Sequence, residues 1–142
     1  MNPSLFFANK TCYGVVGASA DRSKFGNKVL RWYLDRSLNA VPVNPKAPSI
    51  ENIACVSSIA DLKEPSKTAI SIITPPSVTL QVLKQAHAMG IKDLWLQPGC
   101  ESSEVNELVQ QWTNAGAGMN VIFGGPCILV IGDAALMESS KL

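Results

Sequence analysis

Residues 68–76 read TAISIITPP, and this stretch decides the fold. Seven residues from Thr68 to Thr74 are apolar or small, with β-branched side chains throughout, and Pro75-Pro76 ends the run. Such a segment is a strand buried on both faces, which is how strands of a parallel sheet read. Downstream, Val78, Val82, Leu83 and Ala86 recur at helical spacing, Ser77 is the expected N-cap and Gly90 the expected stop. A buried strand followed by an amphipathic helix is half of a βαβ unit.

The same alternation extends in both directions. Upstream, residues 11–16 (TCYGVV) form strand one and end in Gly17-Ala18-Ser19, and residues 25–36 carry Val29, Leu30, Tyr33 and Leu34 at helical spacing. Residues 39–43 form strand two, stopped by Asn44-Pro45, and residues 57–62 suggest a short helical turn. Downstream, residues 92–97 are strand four, broken by Pro98-Gly99. Ser102 or Ser103 then caps a helix bearing Val105, Leu108, Val109 and Trp112, which ends near Gly116 or Gly118. Residues 119–123 are strand five, ended by Gly124-Gly125-Pro126. Strands separated by helices predict an α/β, Rossmann-type, doubly wound parallel sheet of about five strands, ordered 3-2-1-4-5, with helices on both faces.

The bulk numbers agree with one such domain. The chain has 142 residues, 46% hydrophobic and 16% charged, with net charge +1. That balance gives no electrostatic case for nucleic acid, and no apolar stretch is long enough to suggest a membrane span. The start, MNPSLFFANKT, matches neither a transit peptide nor a signal peptide. Four scattered cysteines with no CxxC pair, and the single histidine His87, argue against a zinc site and imply no disulfide framework. Residues 1–137 are expected to form the domain and 138–142 an exposed tail. That tail ends in Ser140-Lys141-Leu142, the SKL peroxisomal address. The expected location is the peroxisome matrix, or the cytoplasm in a source without peroxisomes, with an import receptor as partner.

In doubly wound sheets, ligands bind outside the carboxyl ends of the strands, where strand order reverses. This selects loops 17–26, 44–46, 74–77, 97–100 and 124–127, all rich in Gly, Pro or small polar residues. The first loop is not the usual dinucleotide fingerprint: Ser19 stands where a second glycine belongs, and Gly26 comes late. Arg22 and Lys24 put two cations beside a candidate phosphate position. Strand two ends in Val43-Asn44-Pro45-Lys46, with no acid to bind ribose hydroxyls as an NAD site requires. A lysine there suits a ligand that carries phosphate on its ribose, such as coenzyme A or NADP.

In order along the chain, GVVGAS (14–19), KFG (24–26), VPVNPK (41–46), SIITPPSV (71–78) and DLWLQPG (93–99) resemble the CoA-binding domain family. That family includes the N-terminal domain of succinyl-CoA synthetase alpha chains and ADP-forming acyl-CoA synthetases, and small stand-alone proteins. The resemblance implies that Gly17, Ala18, Ser19 and Lys24 lie along the CoA phosphates. It places Asn44, Pro45 and Lys46 at the adenosine end, and Thr74, Pro75 and Pro76 on the pantetheine side. The synthetases need further domains for chemistry, with a phosphohistidine and a nucleotide triphosphate site. No GxSxG elbow or Ser/His/acid set appears here, and His87 falls within a helix pattern. Cys100 and Cys127 fall at strand carboxyl ends, where either could face the ligand thiol or simply pack as a small hydrophobe.

The expectation is therefore non-catalytic binding of CoA or acyl-CoA, for buffering, presentation or sensing. The alternatives are an NADP- or CoA-dependent enzyme, or a regulatory subunit of a separate catalytic chain. A homo-oligomer is left open.

Overall fold

The computed structural model describes all 142 residues. Helix α1 (Pro3–Phe7) precedes β1 (Cys12–Val16) and α2 (Phe25–Asp35). Strand β2 (Ala40–Val43) is followed by a small antiparallel hairpin, β3 (Ser49–Ile50) and β4 (Ile53–Ala54), and by 3₁₀ turns at Ile59–Asp61 and Pro65–Lys67. Then come β5 (Thr68–Ile72), α3 (Pro76–Met89), β6 (Asp93–Leu96), α4 (Ser103–Ala115), β7 (Asn120–Ile122) and α5 (Ile128–Ser139).

Five parallel strands form the sheet, and both faces are covered. Pleating sends successive side chains to opposite sides. Val16, Ile70, Ile72, Leu94 and Leu96 pack with Val82, Leu83 and Ala86 of α3 and Val105 and Val109 of α4. Tyr13, Val15, Ala69 and Trp95 pack with Phe6 and Phe7 of α1, Val29, Leu30 and Tyr33 of α2, and Ile128 and Ala135 of α5. All five residues of β1 and of β5 are buried, as expected for central strands.

The strand order corrects the expected 3-2-1-4-5. The observed order is β2-β1-β5-β6-β7, so the third long strand lies beside the first, not beyond the second. Pro42 supplies the physical reason: a proline cannot donate to a ladder and belongs on an edge strand. In the observed order β2 is that edge, shielded only by Val56, whose N–H donates to the Pro42 carbonyl at 3.0 Å. The connection from β2 to β5 also contains no α-helix. The hairpin and the 3₁₀ turns carry the chain back across β1.

Two helices were not read from the sequence. Helix α1 has five residues, with Asn2 capping the N–H groups of Ser4 and Leu5 and Pro3 at its first position. Helix α5 reads ILVIGDAALMES and has no single apolar stripe to reveal it. It runs to Ser139, so Glu138 and Ser139 belong to the helix and not to a tail, while residues 140–142 are exposed. The α3 start also differs: Pro75 is the N-cap, without a side-chain hydrogen bond, and Pro76 rather than Ser77 opens the helix. No helix is long and apolar enough to cross a membrane.

Candidate functional site

The corrected order moves the site. In a sheet ordered this way the reversal lies between β1 and β5, so the ligand crevice belongs between the loops that follow those two strands. A cleft of about 250 Å³ opens there. Its walls come from Val16, Gly17 and Ala18 at the end of β1, Val43, Asn44 and Pro45 at the end of β2, and Thr74 after β5. A second cleft of about 270 Å³ shares Thr74 and continues along the edge over Ile73, Pro75, Pro98, Gly99 and Cys100.

Two glycines shape the first loop. Gly17 sits at φ +93°, and a Cβ there would collide with the Ile73 carbonyl. A Cβ on Gly26 would collide with the Gly17 carbonyl. The loop therefore turns tightly off β1 and lets α2 start directly against it, as the first and last glycines of a nucleotide-binding loop do, although their spacing differs. Lys24 is the N-cap of helix α2 and makes no side-chain capping bond. The helix's first N–H groups and positive dipole end are free of any competing side chain.

Asn44 holds the second loop to the first. Its Nδ2 donates to the Ala18 carbonyl at 2.9 Å, and its Oδ1 accepts the N–H groups of Lys46 (2.8 Å) and Ala47 (3.0 Å). Ser19 is similarly engaged: its Oγ accepts the Asp21 N–H at 3.1 Å, and its carbonyl accepts Nδ2 of the buried Asn27 at 2.8 Å. Asn27 Nδ2 also reaches Glu51 at 3.3 Å, and Arg22 lies 3.6 Å from the same carboxylate. Thr74 exchanges a 2.7 Å hydrogen bond with the buried Thr79, fixing the turn into α3.

Of the residues singled out from sequence, Gly17, Ala18, Asn44, Pro45 and Thr74 meet in one cleft, and Pro75 lines its extension. Ser19, Arg22, Lys24, Gly26, Lys46 and Pro76 do not line either cleft. They stand on the same loops, with Lys24 and Lys46 exposed and free of ion pairs. Sequence reading missed Ser57, Ser58, Ile59, Val78, Val82 and Gln85, which complete the first cleft. The signal for three of them was available, because Val78, Val82 and Gln85 share one stripe of α3 at i, i+4 and i+7.

The cysteines divide. Cys100 is 2% exposed, and its thiol donates toward the carbonyls of Gln97 (2.7 Å) and Ile72 (3.2 Å). Burial pushes its pKa up to about 11, so it is a neutral thiol at ordinary pH. Cys127 is half-buried at the N-cap of α5. His87 is exposed in the last turn of α3 and stacks on Trp112 at 5.1 Å, away from the ligand edge. Trp95 and Trp32 are buried in the core.

The largest cavity, about 400 Å³, lies at the opposite edge, over the starts of β1 and β2. It opens where no crossover helix covers these strands. Its polar residues are partly tied to one another: Asn39 Nδ2 donates to the Thr11 carbonyl at 2.9 Å, and the Thr11 hydroxyl donates to Glu64 at 3.4 Å. Size alone therefore does not select the site.

A family model described as CoA binding domain matches residues 11–133. The ADP-forming acetate–CoA ligase of Methanocaldococcus jannaschii is 30% identical over 78 residues, which is 55% of this chain and 11% of the ligase. Among solved structures, a conserved hypothetical protein from Pyrococcus furiosus matches with a TM-score of 0.73 at 36% identity, over 85% of this chain and 97% of that one. The dinucleotide-forming acetyl-coenzyme A synthetase 1 of Ca. Korarchaeum cryptofilum, solved with phosphate and ADP, matches with a TM-score of 0.68 at 28% identity. That match covers 85% of this chain and 26% of the synthetase, so this chain corresponds to only a part of the two larger enzymes. With the match running from the start of β1 into α5, the chain belongs to the CoA-binding domain family.

Proposed function

We propose that this protein binds coenzyme A or an acyl-CoA along the carboxyl edge of its sheet, acting as a binder and not as a self-sufficient catalyst. The observation that carries this reading is the cleft at the β1/β5 reversal, built from the loops that the family resemblance assigns to CoA. The residues fit such a ligand. Gly17 and Gly26 leave the backbone bare where a phosphate would approach, and the uncapped start of α2 offers N–H groups to it. Arg22, Lys24 and Lys46 supply cations on the same loops. The two clefts meeting at Thr74 give a long ligand a path from the nucleotide end toward its thiol.

Support for a non-catalytic role comes from the candidate reactive groups. Cys100 is a buried neutral thiol, His87 packs on Trp112 outside the clefts, and the Tyr33 and Ser71 hydroxyls are buried and bonded to each other at 2.7 Å. We further propose that Ser140-Lys141-Leu142, exposed in the structure, serves as a peroxisomal address. Deleting Leu142 should then abolish import of the full chain, and undiminished import would overturn that assignment.

A thermal-shift panel of CoA, acetyl-CoA, a long-chain acyl-CoA, NAD and NADP tests the binding. A bound ligand at a hundred times its dissociation constant stabilises by about 2.7 kcal/mol. CoA or an acyl-CoA should give such a shift; a response to NADP without one to CoA overturns the reading. Lys24→Ala and Lys46→Ala should each weaken CoA binding about tenfold, the size of a lost charged hydrogen bond. Lys46→Ala should weaken dephospho-CoA less, and equal losses would remove its ribose-phosphate role.

A further inference from the structure

We propose that the cavity at the amino edge of the sheet, over the starts of β1 and β2, is a second ligand site that takes a small aliphatic amine, its ammonium at the rim. The proposal does not rest on CoA binding, because this cavity shares no residue with the two clefts at the carboxyl edge. At about 400 Å³ it falls within the roughly 300–1,000 Å³ of small-molecule pockets. Its origin is topological. A doubly wound sheet covers its strand pairs with crossover helices, but the β2–β5 connection supplies only a hairpin and two 3₁₀ turns. Gly14 in β1 completes the shape. A Cβ there would meet Leu62 at 3.0 Å, so its absence lets the Leu62 side chain rest against the sheet as one wall.

The lining has an apolar part and a charged part. Cys12, Val41, Val56 and Leu62 are apolar, whereas Asp61, Lys63 and Glu64 stand on one wall and none of the three makes an ion pair. Elsewhere along the same edge Lys10 and Asp93 pair at 2.9 Å, so open charges are not the rule there. The hydrogen bonds leave mostly acceptors free. Asn39 spends an Nδ2 hydrogen on the Thr11 carbonyl at 2.9 Å, and the Thr11 hydroxyl spends its own on Glu64 Oε2 at 3.4 Å. Asn39 Oδ1, Asp61 Oδ1 and Glu64 Oε1 remain without partners, and all three only accept. Two carboxylates against one ammonium leave the mouth net negative. That field reaches the floor: burial pushes the Cys12 thiol up and the Glu64 carboxylate pushes it further, against a lowering hydrogen bond with Thr68. An apolar floor disfavours a bare ion, and an acceptor-rich negative rim disfavours a fatty acid. An aliphatic amine meets both, with its chain on Val41, Val56 and Leu62 and its N–H donors at the rim.

Amide NMR titration of the full chain with n-hexylamine, n-hexanol and hexanoate tests this. Hexylamine should give saturable shifts in residues 11–12, 39–41 and 61–64. Hexanol and hexanoate should bind about tenfold more weakly or worse, the worth of one charged hydrogen bond. Glu64→Gln should weaken hexylamine by about the same factor and leave hexanol unchanged. Lys63→Gln, which removes the opposing cation, should tighten hexylamine. Both positions are exposed, so both variants should keep the wild-type spectrum elsewhere. No saturable binding of hexylamine, equal binding of hexanol or hexanoate, or an unchanged hexylamine affinity in Glu64→Gln overturns the inference. The thermal shift with CoA should be the same in Glu64→Gln as in the wild type, so failure of the amine site leaves the CoA reading standing, and failure of CoA binding leaves the amine site standing.

Discussion

The two ends of the sheet treat polar groups differently. At the amino end, side chains close on partners within the protein. Lys10 pairs with Asp93 at 2.9 Å with both largely buried, and Asn120 exchanges hydrogen bonds with the Asn2 backbone while its Nδ2 also reaches Asp93 at 2.9 Å. The Thr68 hydroxyl lies 2.9 Å from the Glu64 carbonyl. At the carboxyl end, α2 and α3 start without side-chain caps and Lys24 and Lys46 are unpaired. Asn44 and Ser19 there spend their bonds on loop shape rather than on closing the surface. Capping is within the chain's means, since Ser102 caps α4 through the Val105 N–H. The difference is that the amino end closes on itself outside the cavity over β1 and β2, while the starts of α2 and α3 at the other end leave their donors uncapped, as the proposed binding requires.

Substitutions can break this contrast, and the largest effect is expected at Gly17. Alanine there combines a left-handed φ with a collision against Ile73, so a loss of about 3 kcal/mol in denaturant unfolding is expected, with CoA binding lost at temperatures where the variant remains folded. A loss below about 0.5 kcal/mol would mean the close approach is not needed. Next in size is Asp93→Asn at the amino end, which strands the Lys10 ammonium, 8% exposed, beside backbone carbonyls. About 2 kcal/mol of stability should go, since Lys10 keeps its bond to the Ala8 carbonyl, with the CoA dissociation constant measured on the folded fraction unchanged. A comparable loss of affinity would blur the division of labour between the two ends.

How much of this the sequence displayed depends on the signal each element carries. The five strands were legible because each is an apolar run punctuated by Gly, Pro or Asn, and the carboxyl-edge loops followed from that alone. The strand order differs from the expected 3-2-1-4-5 because crossover rules alone do not register Pro42 inside strand two, and a proline there argues for an edge. Helix α5 escaped because Gly132 interrupts an apolar run that lacks a period; the structure shows Gly132 packed where a Cβ would meet the Trp32 ring. In the site, the loop residues were visible as turn chemistry. Ser57, Ser58 and Ile59 were not, since they reach the cleft only through tertiary packing of the β2–β5 connection on α3.

A smaller effect sharpens the comparison through pH. Cys100 at the carboxyl end is held neutral by burial, with its pKa raised from 9.0 to about 11. The unfolded chain releases that proton first, so the thiol's contribution is intact below about pH 9 and is lost as pH rises toward 11. The decline should be on the order of 2 kcal/mol across that window. Cys100→Ala should reduce it, leaving the contributions of Cys12 and Cys55, whose thiols burial also raises, when unfolding is measured from pH 8 to 11. An unchanged slope would show that Cys100 is not the titrating group, and rapid alkylation of Cys100 at pH 7 would contradict its burial.

Hydrogen exchange of the full chain with and without saturating CoA tests the central claim most directly. New protection is expected in residues 17–27, 44–47 and 74–79, with residues 11–12, 39–41 and 61–64 at the opposite edge unaffected. Protection confined to that opposite edge, over the larger cavity, would contradict the account.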